Sequence, residues 1–132
     1  MFDEMFEAAK FVDSFAHAKV VAFVTPHNKK SIISVGKNQK KTHPFQKRFS
    51  KNDDCIFLHA ETDAIKNALK TLHTHSLDEC DLYVLRLKQA SRQGPTITGN
   101  CLPCPGCMRA IAEFDIRNVY YTADHSSEFS CL

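Results

Sequence analysis

Residues 58–65 read "LHAETDAI" and residues 102–107 read "LPCPGC", and whether these two stretches share one site decides how the whole chain is read. Each lies where a helix should start. In "AETDAIKNALKTL" (60–72) the residues Ala60, Ala64, Ile65, Ala68 and Leu72 recur at the helical period, and in "PGCMRAIAEF" (105–114) Pro105 suits a helix's first turn. Residues two apart sit about 200° apart around a helix, so His59 and Glu61 converge only from its first turn, on a site beyond its end. Cys104 and Cys107 suit the same end-on placement, because free backbone N–H groups and the helix dipole favour thiolates there.

One His and two Cys make three zinc ligands and leave a fourth position for water, as in a catalytic site; structural sites are closed by a fourth residue. Two thiolates and a neutral imidazole formally cancel the charge of Zn²⁺. Activating water then needs a base as well, and Glu61 is placed to be one. A redox C-x-x-C would leave the H-A-E unexplained, and an iron–sulfur run would want a cysteine where Ile111 stands. Cys101 has two readings: a bystander on the loop, or a fourth ligand that closes the site and silences it.

Outward from these stretches, the apolar periods give the order αββαβαβ. "FDEMFEAAKFVDSFAHA" (2–18) reads as an amphipathic helix, and "KVVAFVTP" (19–26) and "SIISVG" (31–36) as an antiparallel hairpin around "HNKK". "DLYVLRLK" (81–88) is a third strand, "SRQGPTITGN" (91–100) a loop or hairpin tip, and "RNVYYT" (117–122) a fourth strand, in which Tyr120 and Tyr121 are read as packing. The plan is α/β, one sheet with helices packed on it. With 132 residues and no internal repeat or linker, the expectation is a single domain over 1–132. Hydrophobic residues at 43% and charged ones at 24% match globular averages and exclude a fibrous or disordered class. The longest unbroken apolar run, "VVAFV", is far short of a membrane span, and "MFDEMFEAAK" is acidic where a secretory leader is basic. A cytoplasmic protein without membrane contact is expected, and six cysteines then suggest metal or catalysis rather than disulfides.

The net charge of +2 conceals an asymmetry: residues 29–51 carry eight Lys or Arg and no acid. That segment is a solvated face or a phosphate site. Within it His43 stands with Lys40, Lys41, Lys47 and Arg48, close to Asn38, as candidate phosphate contacts. His73 and His75, at the end of the helix that starts at Ala60, are expected to meet its last carbonyls.

H-x-E followed by P-C-x-x-C is the general signature of zinc-dependent nucleobase deaminases. From residue 20 to about 122 the chain resembles the cytidine and deoxycytidylate deaminase superfamily, through "SVGKN", "HAETDAI", "LYVL", "PCPGC" and "VYY" in that order. Within it, the small phage-type deoxycytidylate deaminase-like proteins are the nearest pattern. The resemblance implies an α/β, cytidine deaminase-like three-layer sandwich, a mixed sheet of about four to five strands with helices on both faces. It implies Zn²⁺ on His59, Cys104 and Cys107, with Glu61 as the proton shuttle in hydrolysis of a cytosine amine. It further implies that Asn38 hydrogen-bonds the base or sugar and that the Ala60 N–H meets the base carbonyl.

Two departures add expectations. The 41 residues between Glu61 and Pro103 exceed what the family needs, and the excess, "KQASRQGPTITGN" (88–100), is expected to form an extended hairpin near the site. Only eleven residues follow Tyr121, so a neighbouring subunit of a homo-oligomer is expected to complete the pocket. Three functions remain in competition at this point. The first is a deaminase of a pyrimidine nucleotide, with dCMP to dUMP in front; the second is a cytosine deaminase on single-stranded DNA or RNA; the third is a non-catalytic zinc module closed by Cys101.

Overall fold

The run Val20–Val24 is apolar on both faces, as a strand is when helices cover it from either side. In the structure, a computed structural model describing residues 1–10, 18–29, 31–38, 44–49, 59–89, 96–124 and 128–132, this run is the middle of β1 (Ala18–Pro26). Val21 and Phe23 pack with Met5 and Ala9 of α1 (Phe2–Lys10) and with Leu85 and Leu87. Ala22 and Val24 point the other way, toward Ala64, Ile65, Leu82, Val84 and Ile111. One sheet therefore carries two cores. Full burial of a side chain the size of Leu82 or Ile65 stabilises by about 1.5–3 kcal/mol, which makes this two-sided strand the centre of the fold.

β1 forms antiparallel pairs with β2 (Ser34–Lys37) and with β3 (Cys80–Gln89), in registers running from Val21↔Lys37 to Val24↔Ser34 and from Ala18↔Lys88 to Pro26↔Cys80. β3 runs parallel to β5 (Asn118–Thr122), which pairs antiparallel with β6 (Phe129–Cys131). The order is β2-β1-β3-β5-β6, with β4 (Thr96–Gly99) alongside the far end of β3. This is the expected mixed α/β sheet with helices on both faces. Among the described residues it has six strands, against about four to five expected: the segment read as a loop or hairpin tip supplies β4, and β6 lies beyond the last expected strand. Residues 88–100 do return as a hairpin, whose tip at 90–95 lies outside the described residues. The expected first helix is described through Lys10, and residues 11–17 lie outside the described part.

A parallel pair needs a crossover, and α4 (Pro105–Glu113) provides it on the way into β5. α3 (Ala60–Leu72) leads back to the start of β3, so it runs opposite to that strand. Both helices therefore begin at the end of the sheet where β3 and β5 finish. α3 closes at His73, in the left-handed region at φ 50°, whose backbone N–H bonds the Leu69 carbonyl; the His73 ring is not what caps the helix. Three polar ties hold α3 to the outer strand: Ser34 Oγ donates to Ala64 O at 2.7 Å, Asn67 Nδ2 to Val35 O at 2.9 Å, and Lys37 N–H to Asp63 Oδ2 at 3.1 Å. The last two also occupy backbone groups, Val35 O and Lys37 N–H, on the edge of β2 that would otherwise be open to another chain.

Candidate metal centre

His59 is the N-cap of α3, extended at φ −81° and ψ 159°, so its ring projects past the helix end instead of along its side. Cys104 is the N-cap of α4, extended at φ −69° and ψ 166°, and its Sγ accepts the Cys107 N–H at 3.5 Å. Pro105 at the start of α4 removes a donor that would have no intrahelical acceptor. Cys107 is fully buried one turn into the helix. These local geometries bring three side chains from two helix ends to one point. His59 Nδ1 lies 3.4 Å from Cys104 Sγ and 3.3 Å from Cys107 Sγ, and the three donor atoms all lie within 4.8 Å of one another.

The fit to zinc is testable on these distances. Bond lengths of about 2.3 Å to sulfur and 2.0–2.1 Å to nitrogen at tetrahedral angles set N···S edges near 3.5 Å, which the observed spacing approaches. The three donors are tightly coupled to one another. The Cys107 hydrogen bond and then the His59 ring hold the Cys104 thiol below its ordinary pKa, so it stands as thiolate. Sharing with Cys104 and burial push Cys107 up, so it retains its proton. The contact with Cys104 raises His59. Binding a divalent metal here would displace the shared protons and neutralise a concentrated cluster.

Glu61 lies one residue into α3, 6% exposed. Burial raises its carboxyl pKa, opposed by the His59 charge, its own backbone N–H and a hydrogen bond with Cys107. A buried acid thus adjoins the three donors without being one of them. Ala60, between the ligand and the acid, is buried at the first helical position, where a backbone N–H has no intrahelical acceptor. Asn38 follows β2 at the same end; its Oδ1 accepts the Val20 N–H at 3.0 Å, while its own N–H bonds Val20 O at 3.2 Å. Lys40, Lys41 and His43 lie outside the described residues.

Cys101 does not join the donors. Its thiol is buried, donating to Val84 O at 3.1 Å and lying 3.3 Å from Thr122 Oγ1, and burial pushes it up to about 11. A thiol so placed is neutral near pH 8 and a poor nucleophile. Iodoacetamide at about pH 8 should label exposed Cys131 in the native protein and leave Cys101 unlabelled until unfolding, as peptide mapping by mass would show. Cys101→Ser should retain zinc; its loss would place Cys101 among the ligands.

Two further residues hold the site, and neither stands out in the sequence. Gln46, on α2 (Pro44–Phe49), is fully buried, and its Oε1 accepts the His59 N–H at 3.2 Å and the Thr62 hydroxyl. Asp63, 5% exposed, joins the first turn of α3 to the end of β2 through the Lys37 N–H and pairs with Lys66 at 3.3 Å. An acid in a helix's first turn is a faint sequence signal for Asp63. Gln46 has none, because a lone Gln between Phe45 and Lys47 reads equally as a solvent-facing residue.

Residues 2–123 match the family described as the cytidine and deoxycytidylate deaminase zinc-binding region. The chain belongs to that family. The family is a zinc-binding one, and His59, Cys104 and Cys107 form the candidate zinc site among the described residues. Among curated proteins, the guanine deaminase of Bacillus subtilis (strain 168) is 35% identical over 68 residues, which are 52% of this chain and 34% of that protein. The chain thus aligns with about a third of that relative's length. Among solved structures, guanine deaminase from Bacillus subtilis superimposes with a TM-score of 0.48 at 26% identity, over 79% of this chain and 49% of that one. The dCMP deaminase from the cyanophage S-TIM5, solved in complex with dCMP and dUMP, gives a TM-score of 0.52 at 21% identity, over 91% of this chain and 76% of that one. This second likeness shows that the deaminase-family chain shares that fold. Among the described residues, no helix is long and apolar enough to cross a membrane.

Proposed function

We propose that residues 1–132 form one deaminase domain that hydrolyses the exocyclic amine of a nucleotide base, with dCMP as substrate and dUMP and ammonia as products. The observation that carries this reading is the buried Glu61 carboxyl, its pKa raised by desolvation, in contact with Cys107 at the mouth of the three-donor cluster. An acid that binds no metal gains nothing structural from burial there, whereas a proton carrier needs a pKa lifted toward neutrality. Zinc on His59, Cys104 and Cys107 would supply the Lewis acidity that makes water a nucleophile at neutral pH.

The chain's own groups account for the remaining steps. Glu61 takes a proton from the attacking water and delivers it to N3 of the pyrimidine as the new C4–O bond forms. It then hands the second water proton to the amine as the C4–N bond breaks, so ammonia leaves and the carboxylate is restored. The Ala60 N–H is assigned to the base carbonyl and Asn38 to the base or sugar. Lys40, Lys41 and His43 are assigned to the 5′-phosphate, since the basic run 29–51 is where an anionic substituent would be held.

The 35% identity to a guanine deaminase over 68 residues favours a second reading, guanine to xanthine on the same machinery. Purified protein should be incubated with dCMP, CMP, dCTP, cytidine, guanine and a cytosine-containing oligonucleotide, with replacement of an amino group by oxygen read by mass. Turnover of dCMP above the others is the expected result. Turnover of guanine alone would establish the second reading, and turnover of the oligonucleotide alone would point to single-stranded nucleic acid.

A further inference from the structure

We propose that α2 braces the start of α3 against the body of α4, and that Gln46 is the positioning residue for His59. The inference rests on zinc being held by His59, Cys104 and Cys107. α2 reaches both helices. Toward α4, Arg109 Nε donates to the Phe49 carbonyl at 2.6 Å, Arg48 pairs with Glu113 at 2.9 Å, and the rings of Phe45 and Phe114 stack at 5.8 Å. Toward α3, Gln46 Oε1 accepts from the His59 N–H and the Thr62 hydroxyl.

The Gln46 contact falls where it matters for the metal. His59 is the N-cap of α3 and its side chain makes no capping hydrogen bond, so the ring is free of the helix it heads. Its direction is set by the backbone torsions at that residue. Those torsions are pinned on the carbonyl side by Asp63 N–H and the Thr62 hydroxyl on His59 O, at 2.9 and 3.1 Å, and on the amide side by Gln46. The single Thr62 hydroxyl proton faces both His59 O and Gln46 Oε1, and so links the two sides. Without the Gln46 oxygen, the half-buried His59 N–H loses its acceptor, the Thr62 hydroxyl is left with His59 O alone, and the amide side of the cap is released. His59 Nδ1 then loses its fixed distance to Cys104 and Cys107, which α4 holds independently through the Cys107 N–H bond to Cys104.

The role requires an acceptor, not an amide. Gln46→Glu keeps an oxygen toward both donors and adds negative charge at the start of a helix, where it is favoured. Gln46→Met keeps the length and apolar stem and offers no comparable acceptor. Zinc affinity measured by chelator competition, and the ligand-field spectrum of the cobalt-substituted protein, report the centre without reference to turnover. Gln46→Met should weaken zinc about 10–100-fold, the usual effect of losing an outer partner of a ligand, and alter the cobalt spectrum; Gln46→Glu should stay within about threefold of the parent with the parent spectrum. If Gln46→Met does not fold, Gln46→Asn, whose oxygen is withdrawn by one methylene, takes its place. Equal affinities in the parent and Gln46→Met, or equal losses in the Met and Glu variants, would overturn the proposal. A parent that binds no zinc would instead overturn the reading of the centre on which it rests.

Discussion

Glu61→Gln should lower turnover by roughly 10²–10⁴-fold while the protein keeps its zinc and its fold, an effect of the size that general acid–base groups contribute. The separation of activity from metal follows from where Glu61 stands. It is outside the three-donor set, so the amide removes no ligand. It is 6% exposed, and an amide of the same shape relieves the desolvation that raises the carboxyl pKa, so stability should hold or rise. The amide side chain would still fill the space beside Cys107 but could neither accept a proton from water nor return one to the leaving amine. Single-turnover product formation read by mass, beside zinc content and thermal unfolding, checks all three points. Unchanged turnover would remove Glu61 from the chemistry. Loss of zinc with the activity would make it a support of the centre rather than a proton carrier.

Glu61 and the three donors were legible in the sequence because each pair is local. His59 and Glu61 are two apart at a helix start, Cys104 and Cys107 one turn apart at another, and the period of the following residues marks both starts. Backbone geometry alone then forces each pair to face outward past its helix end. Gln46 could not be read the same way, since its burial exists only once α2 has folded over α3, and the Lys47 and Arg48 that follow it argue for solvent. The short strands failed for a related reason: β4 and β6, four and three residues long, carry too little pattern of their own. β4 forms because β3 extends past β5 and leaves residues 86–89 to be paired. The polar group Asp81, 2% exposed, is likewise accounted for only by its tertiary partners, His27 and Asn118.

Gly36→Ala should destabilise the fold by about 3 kcal/mol or more, at or beyond the upper end of the usual penalty for overfilling a packed core, and weaken zinc in the molecules that remain folded. The backbone at Gly36 has no positive φ, so the requirement for glycine is space alone. A methyl there would overlap Ala60 O and Ala64 N and lie 2.8 Å from Ala64 Cα, all backbone of α3's first turns. No rotamer change relieves a clash with backbone, so either α3 or β2 must move. Ser34, Lys37 and Asn67 tie the two together at three points, which makes the move costly and directs it toward the helix start. His59 and Glu61 sit at that start, whereas Cys104 and Cys107 are carried by α4, so displacement opens the distance between ligands. Gly99→Ala is the control: its methyl would meet Cδ of Arg86 and of Lys88 at 3.2 Å, mid-stem side-chain atoms that need give only a few tenths of an ångström, and should cost less than about 1 kcal/mol with zinc unaffected. Thermal unfolding with zinc competition on both variants separates the cases. Equal, small effects at the two glycines would mean that α3 does not depend on its close approach to β2 to hold His59 opposite the two cysteines.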